Sequence, residues 1–219
     1  MISYISLVSG MLLLPAIYAL LMLWYRPDFK KEENQKKRPF SSMEERAVLL
    51  TGEIAFVRFW YLHGSGGFTD LTFVLVFLML AGMTFFCMAD IREQVVPNKV
   101  LLVFLFLFVI AAGLQGLANM DRLLETLPSV VLGVIFCALC FGAGYVLSRK
   151  AMGAGDVKLS LVMGLYLTGE YVVGAIVYGC LAGAAYSIIQ LLRKKVTRKD
   201  SIPFVPFLYT GLIIRLLVG

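Results

Sequence analysis

The chain has 219 residues, 60% of them hydrophobic and only 16% charged, with a mean hydropathy of +0.85. This composition excludes an ordinary soluble globular domain, because apolar runs close to the roughly 20 residues needed to cross a bilayer recur along most of the sequence. The net charge of +6 would direct a soluble protein toward nucleic acid, but here Lys and Arg gather in short loops beside the apolar runs. That pattern is a topology signal, so the expected surroundings are a lipid bilayer and no nucleic acid.

The first run, Ile2 to Tyr25, is long enough to span and lacks a small-residue cleavage site, so it reads as a retained helix. Arg26 to Arg46, RPDFKKEENQKKRPFSSMEER, carries a basic excess without apolar periodicity and reads as a short cytoplasmic loop. Ala47 to Leu62 is apolar but interrupted by Glu53 and Arg58, and it either crosses or lies at the interface. Those two charges read either as a membrane-depth pair or as the ends of a marginal helix. The following spans are Leu71 to Ala89, Val100 to Ala118, Leu127 to Leu147, a short Val157 to Gly169, Tyr171 to Leu192, and Ile202 to Val218.

Between the last two lies the basic loop RKKVTRKD, Arg193 to Asp200, which marks the cytoplasmic side. Counting back puts Asp90 to Lys99, and the stretch AMGAGDVKLS (Ala151 to Ser160), at that same side. The expected fold is an all-α polytopic transmembrane bundle forming a single membrane domain over 1–219. It has about eight spans with both termini outside if Ala47 to Leu62 crosses, and about seven otherwise. Val157 to Gly169 would be only about 20 Å long, which favours a helix enclosed by its neighbours and an internal site near Asp156.

The four cysteines, Cys87, Cys137, Cys140 and Cys180, all lie within apolar runs and read as small buried hydrophobes rather than disulfide or zinc ligands. His63 is the single histidine and falls in an outer loop, so neither a histidine metal cluster nor a Ser-His-Asp triad is expected. No metal or other cofactor is expected.

Asp90, in FFCMADIREQVVPNKV, ends one span, and Asp156 begins another at the same membrane face. Ionisable groups at such depth are costly and usually face an interior cavity. Two carboxylates in contact do not both ionise readily, so the pair tends to share a proton, a state suited to hydrolysis by an activated water. Helix-end carboxylates also serve simply as caps, and both readings stand on the residues alone. Gly153 and Gly155 would let the backbone turn sharply before Asp156 and admit a substrate strand. The N-terminal dipole of the following helix would favour the Asp156 carboxylate. Pro97 is expected to stop the helix carrying Asp90, and Asn98 to cap the next. Lys158 could stabilise an oxyanion, but residues two apart on a helix do not share a face, and an anchor at the interface is the simpler reading. Arg92 and Glu93 lie close enough to Asp90 to touch the site, although both read more simply as solvated loop residues, and Glu170 as a residue of an outer turn.

At these residues the chain resembles the type IV prepilin leader peptidases and archaeal preflagellin peptidases, the Gly-x-Gly-Asp class of intramembrane aspartic proteases. Gly153-Ala154-Gly155-Asp156-Val157-Lys158 is similar to the second motif of that family, and Asp90 followed by Val96-Pro97-Asn98 is similar to the first. IPFVPFLYTG, Ile202 to Gly211, resembles an Ile-Pro-Phe-Gly-Pro segment with Val205 where glycine is usual, and AVLLTGEIAF, Ala47 to Phe56, resembles the helix after the large cytoplasmic domain of longer members. The resemblance thus covers a peptidase-like core over 47–219.

The resemblance implies an aspartic endopeptidase in the inner (cytoplasmic) membrane that uses Asp90 and Asp156 at the cytoplasmic face. It would remove a short basic leader from prepilin or pseudopilin substrates, cutting after a glycine and before an apolar helix, without a cofactor. The longer relatives carry paired Cys-x-x-Cys motifs in the first loop, associated with N-methylation. The loop 26–46 has no cysteine and is far too short for that domain, so N-methyltransferase activity is not expected. Two other readings of the carboxylates are an ion-coupled transporter, although they sit at one face rather than the midplane and no inverted repeat is evident, and a noncatalytic pilin-assembly protein.

Overall fold

The computed structural model describes residues 2–25, 43–63, 71–147, 153–167, 169–193 and 203–219. Most of the charged stretch Arg26 to Arg46, most of the basic loop Arg193 to Asp200, and the side chains of His63 and Glu170 lie outside the described residues. Among the described residues the chain forms eight helices and no strand: α1 Ile2–Tyr25, α2 Met43–His63, α3 Leu71–Glu93, α4 Asn98–Ala118, α5 Met120–Leu147, α6 Ala154–Tyr166, α7 Gly169–Leu192 and α8 Val205–Val218. A helix closes its own backbone hydrogen bonds, which is the requirement lipid imposes. The protein is therefore an all-helical, multi-pass membrane bundle.

Five helices, α1, α3, α4, α5 and α7, are long and apolar enough to cross a membrane. The stretch Ala47 to Leu62 falls inside α2, whose charges Glu44, Glu45, Arg46, Glu53 and Arg58 set it apart from those five. Helices α6 and α8 have 13 and 14 residues, too few to cross an ordinary hydrocarbon core alone.

Helix α3 is the axis of the bundle. Nearly every side chain from Phe73 to Asp90 is buried, and α1, α2, α4, α6 and α8 all pack around it. Phe73 stacks on Phe59 with ring centroids 5.2 Å apart, while Phe56 meets Phe73 and Phe77 edge to face. By contrast α4, α5 and α7 leave large apolar side chains such as Phe106, Leu132 and Leu181 exposed, as helices facing lipid do.

Close helix contacts are made where side chains are smallest. A Cβ at Gly211 of α8 would lie 2.0 Å from the carbonyl oxygen of Ala175 on α7, so only glycine permits that crossing. Gly133 of α5 and Gly164 of α6 do the same for each other, each Cβ position lying 2.9 Å from the other's carbonyl oxygen. This crossing, with the Tyr166 hydroxyl donating to the Phe104 carbonyl of α4, holds the short α6 within the bundle. As expected for so short a helix, its Leu159, Val162, Met163 and Tyr166 are buried.

Candidate functional site

Asp90 occupies the last turn of α3 and is 5% exposed. The helix ends there because Gln94 adopts a left-handed conformation, φ 52°, with its N–H donating to the Asp90 carbonyl at 2.9 Å. Pro97, which the sequence pattern marks as the stop of this helix, is not what ends it. It lies three residues beyond Gln94, at the N-cap position of α4, in extended backbone with φ −71°.

Asn98 is likewise not the cap of α4. It is the first helical residue and makes no side-chain capping bond; its Oδ1 accepts a hydrogen bond from Lys158 Nζ at 3.1 Å. The extended backbone of Pro97 already supplies the entry to α4, leaving the Asn98 side chain for a tertiary contact.

Asp90 Oδ2 accepts the backbone N–H of Val205 at 2.9 Å. The first N–H groups of any helix lack intrahelical partners, and Val205 opens α8, so the Asp90 carboxylate takes up one of these donors at the positive end of the helix dipole. This contact joins positions 115 residues apart and is not visible in the sequence. Its one local signal is Pro206, which suits the first turn of a helix and places orphan donors beside it.

Asp156 stands in the first turn of α6, after Gly153 at the N-cap position, with its N–H 3.1 Å from the Gly153 carbonyl oxygen. The glycines are not needed for a special backbone conformation: Gly153 has φ −65°, ψ 133°, and among the described residues Gly219 is the one glycine with positive φ. They are needed for space. A Cβ at Gly155 would lie 3.0 Å from the Val96 Cβ, and one at Gly153 would lie 3.2 Å from Asp156 Oδ2. Gly155 thus lets the start of α6 close against the segment that follows Asp90, and Gly153 leaves room for the Asp156 carboxylate.

The result is a cavity of about 300 Å³ whose walls include Asp90, Asp156, Gln94, Asn98, Lys158 and Phe204. Burial first, and the neighbouring Asp90 carboxylate second, push the Asp156 carboxyl from its ordinary 3.8 up to about 6, against the opposing hydrogen bond from the Gly153 backbone. The two aspartates, far apart in sequence, therefore face one space, close enough for the Asp90 charge to act on Asp156. Lys158 reaches the same space from the exposed side, although it is two residues from Asp156 along the helix.

An apolar groove of about 400 Å³ continues from the cavity between α4 and α6. Leu101, Leu102 and Leu105 line one side and Leu161 and Leu165 the other, while Asn98 and Lys158 belong to both spaces.

Other expected positions differ. Arg92 is no solvated loop residue: its side chain is 8% exposed and pairs with Glu45 of α2, which is fully buried. Glu93 is partly exposed at the end of α3. Arg58 does not reach toward Glu53, five residues back on another face of the helix, but donates from Nε to the Leu217 carbonyl near the C-terminus of α8 at 3.3 Å. All four cysteines are free, but only Cys87 and Cys137 are buried. Cys140 and Cys180 are exposed because they fall on outward faces of α5 and α7. Among the described residues no three His, Cys, Asp or Glu side chains converge as metal ligands would.

A sequence profile of the type IV leader peptidase family matches residues 73–188, slightly more than half of the chain and inclusive of both aspartates. The chain belongs to the type IV leader peptidase family. The prepilin leader peptidase/N-methyltransferase of Bacillus subtilis is 26% identical over 152 residues, covering 69% of this chain and 56% of that protein. The protein of the same name from Escherichia coli is 26% identical over 151 residues, covering 68% and 65%. That of Pseudomonas aeruginosa is 26% identical over 182 residues, covering 81% and 57%. This family member thus spans less than two thirds of the length of each of these relatives. No solved structure matches it.

Proposed function

We propose that this protein is an aspartic endopeptidase that removes the leader from prepilin or pseudopilin substrates at the cytoplasmic face of the inner membrane, with Asp90 and Asp156 as its catalytic residues. The observation that carries this reading is the meeting of two carboxylates, one from the end of α3 and one from the start of α6, on a single cavity within a family member.

In this mechanism the pair holds one proton between its two carboxyls. The ionised member takes a proton from water, and the water oxygen attacks the scissile carbonyl carbon while the protonated member gives its proton to the carbonyl oxygen. The resulting diol collapses as one of its hydroxyls gives its proton to the ionised carboxylate, the C–N bond breaks, and the departing amine takes up the proton of the other carboxyl, which leaves the pair with one proton again. The Val205 N–H engages Asp90 Oδ2, which restricts the rotation of that carboxyl while it still faces the cavity. Lys158 and Asn98, hydrogen-bonded across the cavity wall, together with Gly153 and Gly155, shape the opening, and Pro97, outside the lining, sets the entry of α4 that carries Asn98. The apolar residues next to the scissile bond would lie in the α4–α6 groove, which is continuous with the cavity and lined by leucines.

N-methylation, the second activity in the relatives' names, is not extended to this chain, whose first loop has no cysteine. The test is incubation of the purified full chain with candidate prepilins, read by mass spectrometry for leader loss and for methylation. Leader loss that disappears in both Asp90→Asn and Asp156→Asn is expected, and full processing by either variant would overturn the assignment. Binding without cleavage by the unaltered chain would point instead to an assembly protein.

A further inference from the structure

Three helices meet at the back of Asp90, and the contacts that join them lie outside the cavity. Arg92 follows Asp90 by two residues on α3, so its side chain leaves the helix roughly 200° away from that of Asp90. One faces the cavity and the other faces α2. There the Arg92 guanidinium pairs with Glu45, and Glu45 Oε1 also accepts the hydroxyl of Tyr18 from α1 at 3.0 Å. Glu45 is completely buried, and an ion pair so placed is costly to form and adds little net stability, but it admits few geometries.

The same face of α2 holds a second anchor. Val48 and Thr51 follow Glu45 at intervals of three, which keeps them on one side of the helix. The Tyr209 hydroxyl of α8 donates to the Val48 carbonyl at 2.5 Å and lies 3.1 Å from Thr51 Oγ1. Gly52 makes room for that ring, since a Cβ there would stand 3.0 Å from the Tyr209 hydroxyl. Tyr209 is one turn into the helix whose first N–H, that of Val205, holds Asp90 Oδ2.

The first turns of α2 therefore grip both helices that fix Asp90: α3, which carries it, through Glu45 and Arg92, and α8, which donates to it, through Val48, Thr51 and Tyr209. We propose that this part of α2 is a brace that sets the rotation of Asp90 toward Asp156, and that Glu45, Arg92 and Tyr209 are positioning residues for the candidate reaction. This rests on the aspartic endopeptidase reading above. A small rotation of the last turn of α3 would swing the Asp90 carboxyl away from its partner, and misplacement by about 1 Å is enough to cost on the order of a hundredfold in rate.

The experiment compares kcat and KM for cleavage of one leader-containing peptide by the full chain in detergent, together with thermal melting, in four variants. Glu45→Gln/Arg92→Gln removes both charges of the pair, Arg92→Lys keeps a cation opposite Glu45, and Tyr209→Phe removes only the second anchor. Asp90→Asn tests the underlying reading separately. The brace requires a fall in kcat of roughly tenfold or more in Glu45→Gln/Arg92→Gln with KM held within about twofold, recovery of most of kcat in Arg92→Lys, and a smaller fall in kcat in Tyr209→Phe.

If the double variant does not fold, Tyr209→Phe decides by the same split between kcat and KM. Variants that melt lower but keep kcat would overturn the brace and leave a purely structural contact. Full processing by Asp90→Asn would overturn the reading beneath it, and the two failures are distinguishable because they come from different variants.

Discussion

Replacing Asp156 with Asn is expected to abolish cleavage and at the same time to stabilise the protein at neutral pH. The carboxyl is held at about 6 in the folded chain against an ordinary 3.8, chiefly by burial and then by the Asp90 charge. A carboxyl raised in this way contributes most to stability below about pH 4, where folded and unfolded chains both keep the proton, and that contribution is lost as pH rises through about 6. Above that pH the folded chain carries the full cost of an ionised, half-buried group. At about 1.4 kcal/mol for each tenfold change in proton affinity the upper limit is about 3 kcal/mol. Water in the open cavity screens the side chain and lowers this to about 1–2 kcal/mol. Asn has nearly the same shape, can still accept from the Gly153 backbone, and has no charge to bury.

The assay is thermal melting of purified Asp156→Asn and unaltered protein in one detergent, at one scan rate, at pH 4 and pH 7.5. The expected gain at pH 7.5 is about 2–8 °C for a chain of this size, shrinking toward zero at pH 4. A gain of the same size at both pH values, or none at pH 7.5, would refute the claim that Asp156 is burdened by its surroundings. Such a result would also remove the electrostatic support for a proton-sharing pair.

Asp90→Asn should move the pH at which stability falls off to below about 6 but not as far as 3.8, because burial, the larger cause, remains; melting across a pH series measures it. Gly155→Ala brings a Cβ to 3.0 Å from that of Val96 and should lower kcat roughly tenfold, with little change in melting, by pushing α6 away from the segment after Asp90; unchanged kcat in peptide cleavage would show that the close approach is not needed. Leu105→Trp fills the α4–α6 groove and should raise KM several-fold more than it lowers kcat, which steady-state kinetics on a peptide with an apolar flank will separate.

How much of this was open to the sequence depended on the range of the interaction. Apolar run length sets where helices form in lipid, because each helix satisfies its own backbone, so an all-helical bundle with a helix over Ala47 to Leu62 follows without tertiary information. The choice of Asp90 and Asp156 likewise needed only the cost of carboxylates beside apolar runs and the glycines near one of them. The roles proposed for them rest on the motifs that resemble the leader peptidase family, to which the chain belongs; the residues alone fit helix caps as well.

Contacts between helices were not legible, because periodicity says that a residue is apolar or polar but not which neighbour it meets. The Val205 N–H on Asp90 joins positions 115 residues apart. The burial of Arg92 depends on Glu45, 47 residues earlier, and without that partner a loop arginine is the cheaper expectation. Local rules also misassigned the ends of α3 and α4: proline and asparagine suggested a stop and a cap, whereas the left-handed Gln94 and the Asn98–Lys158 bond decided both. The sequence by itself determined the helices and the two carboxylates, since both rest on the solvent each residue can tolerate. Only the tertiary structure decided that the carboxylates share one cavity and that α2 holds Asp90 from behind, since both depend on how α3, α6 and α8 cross.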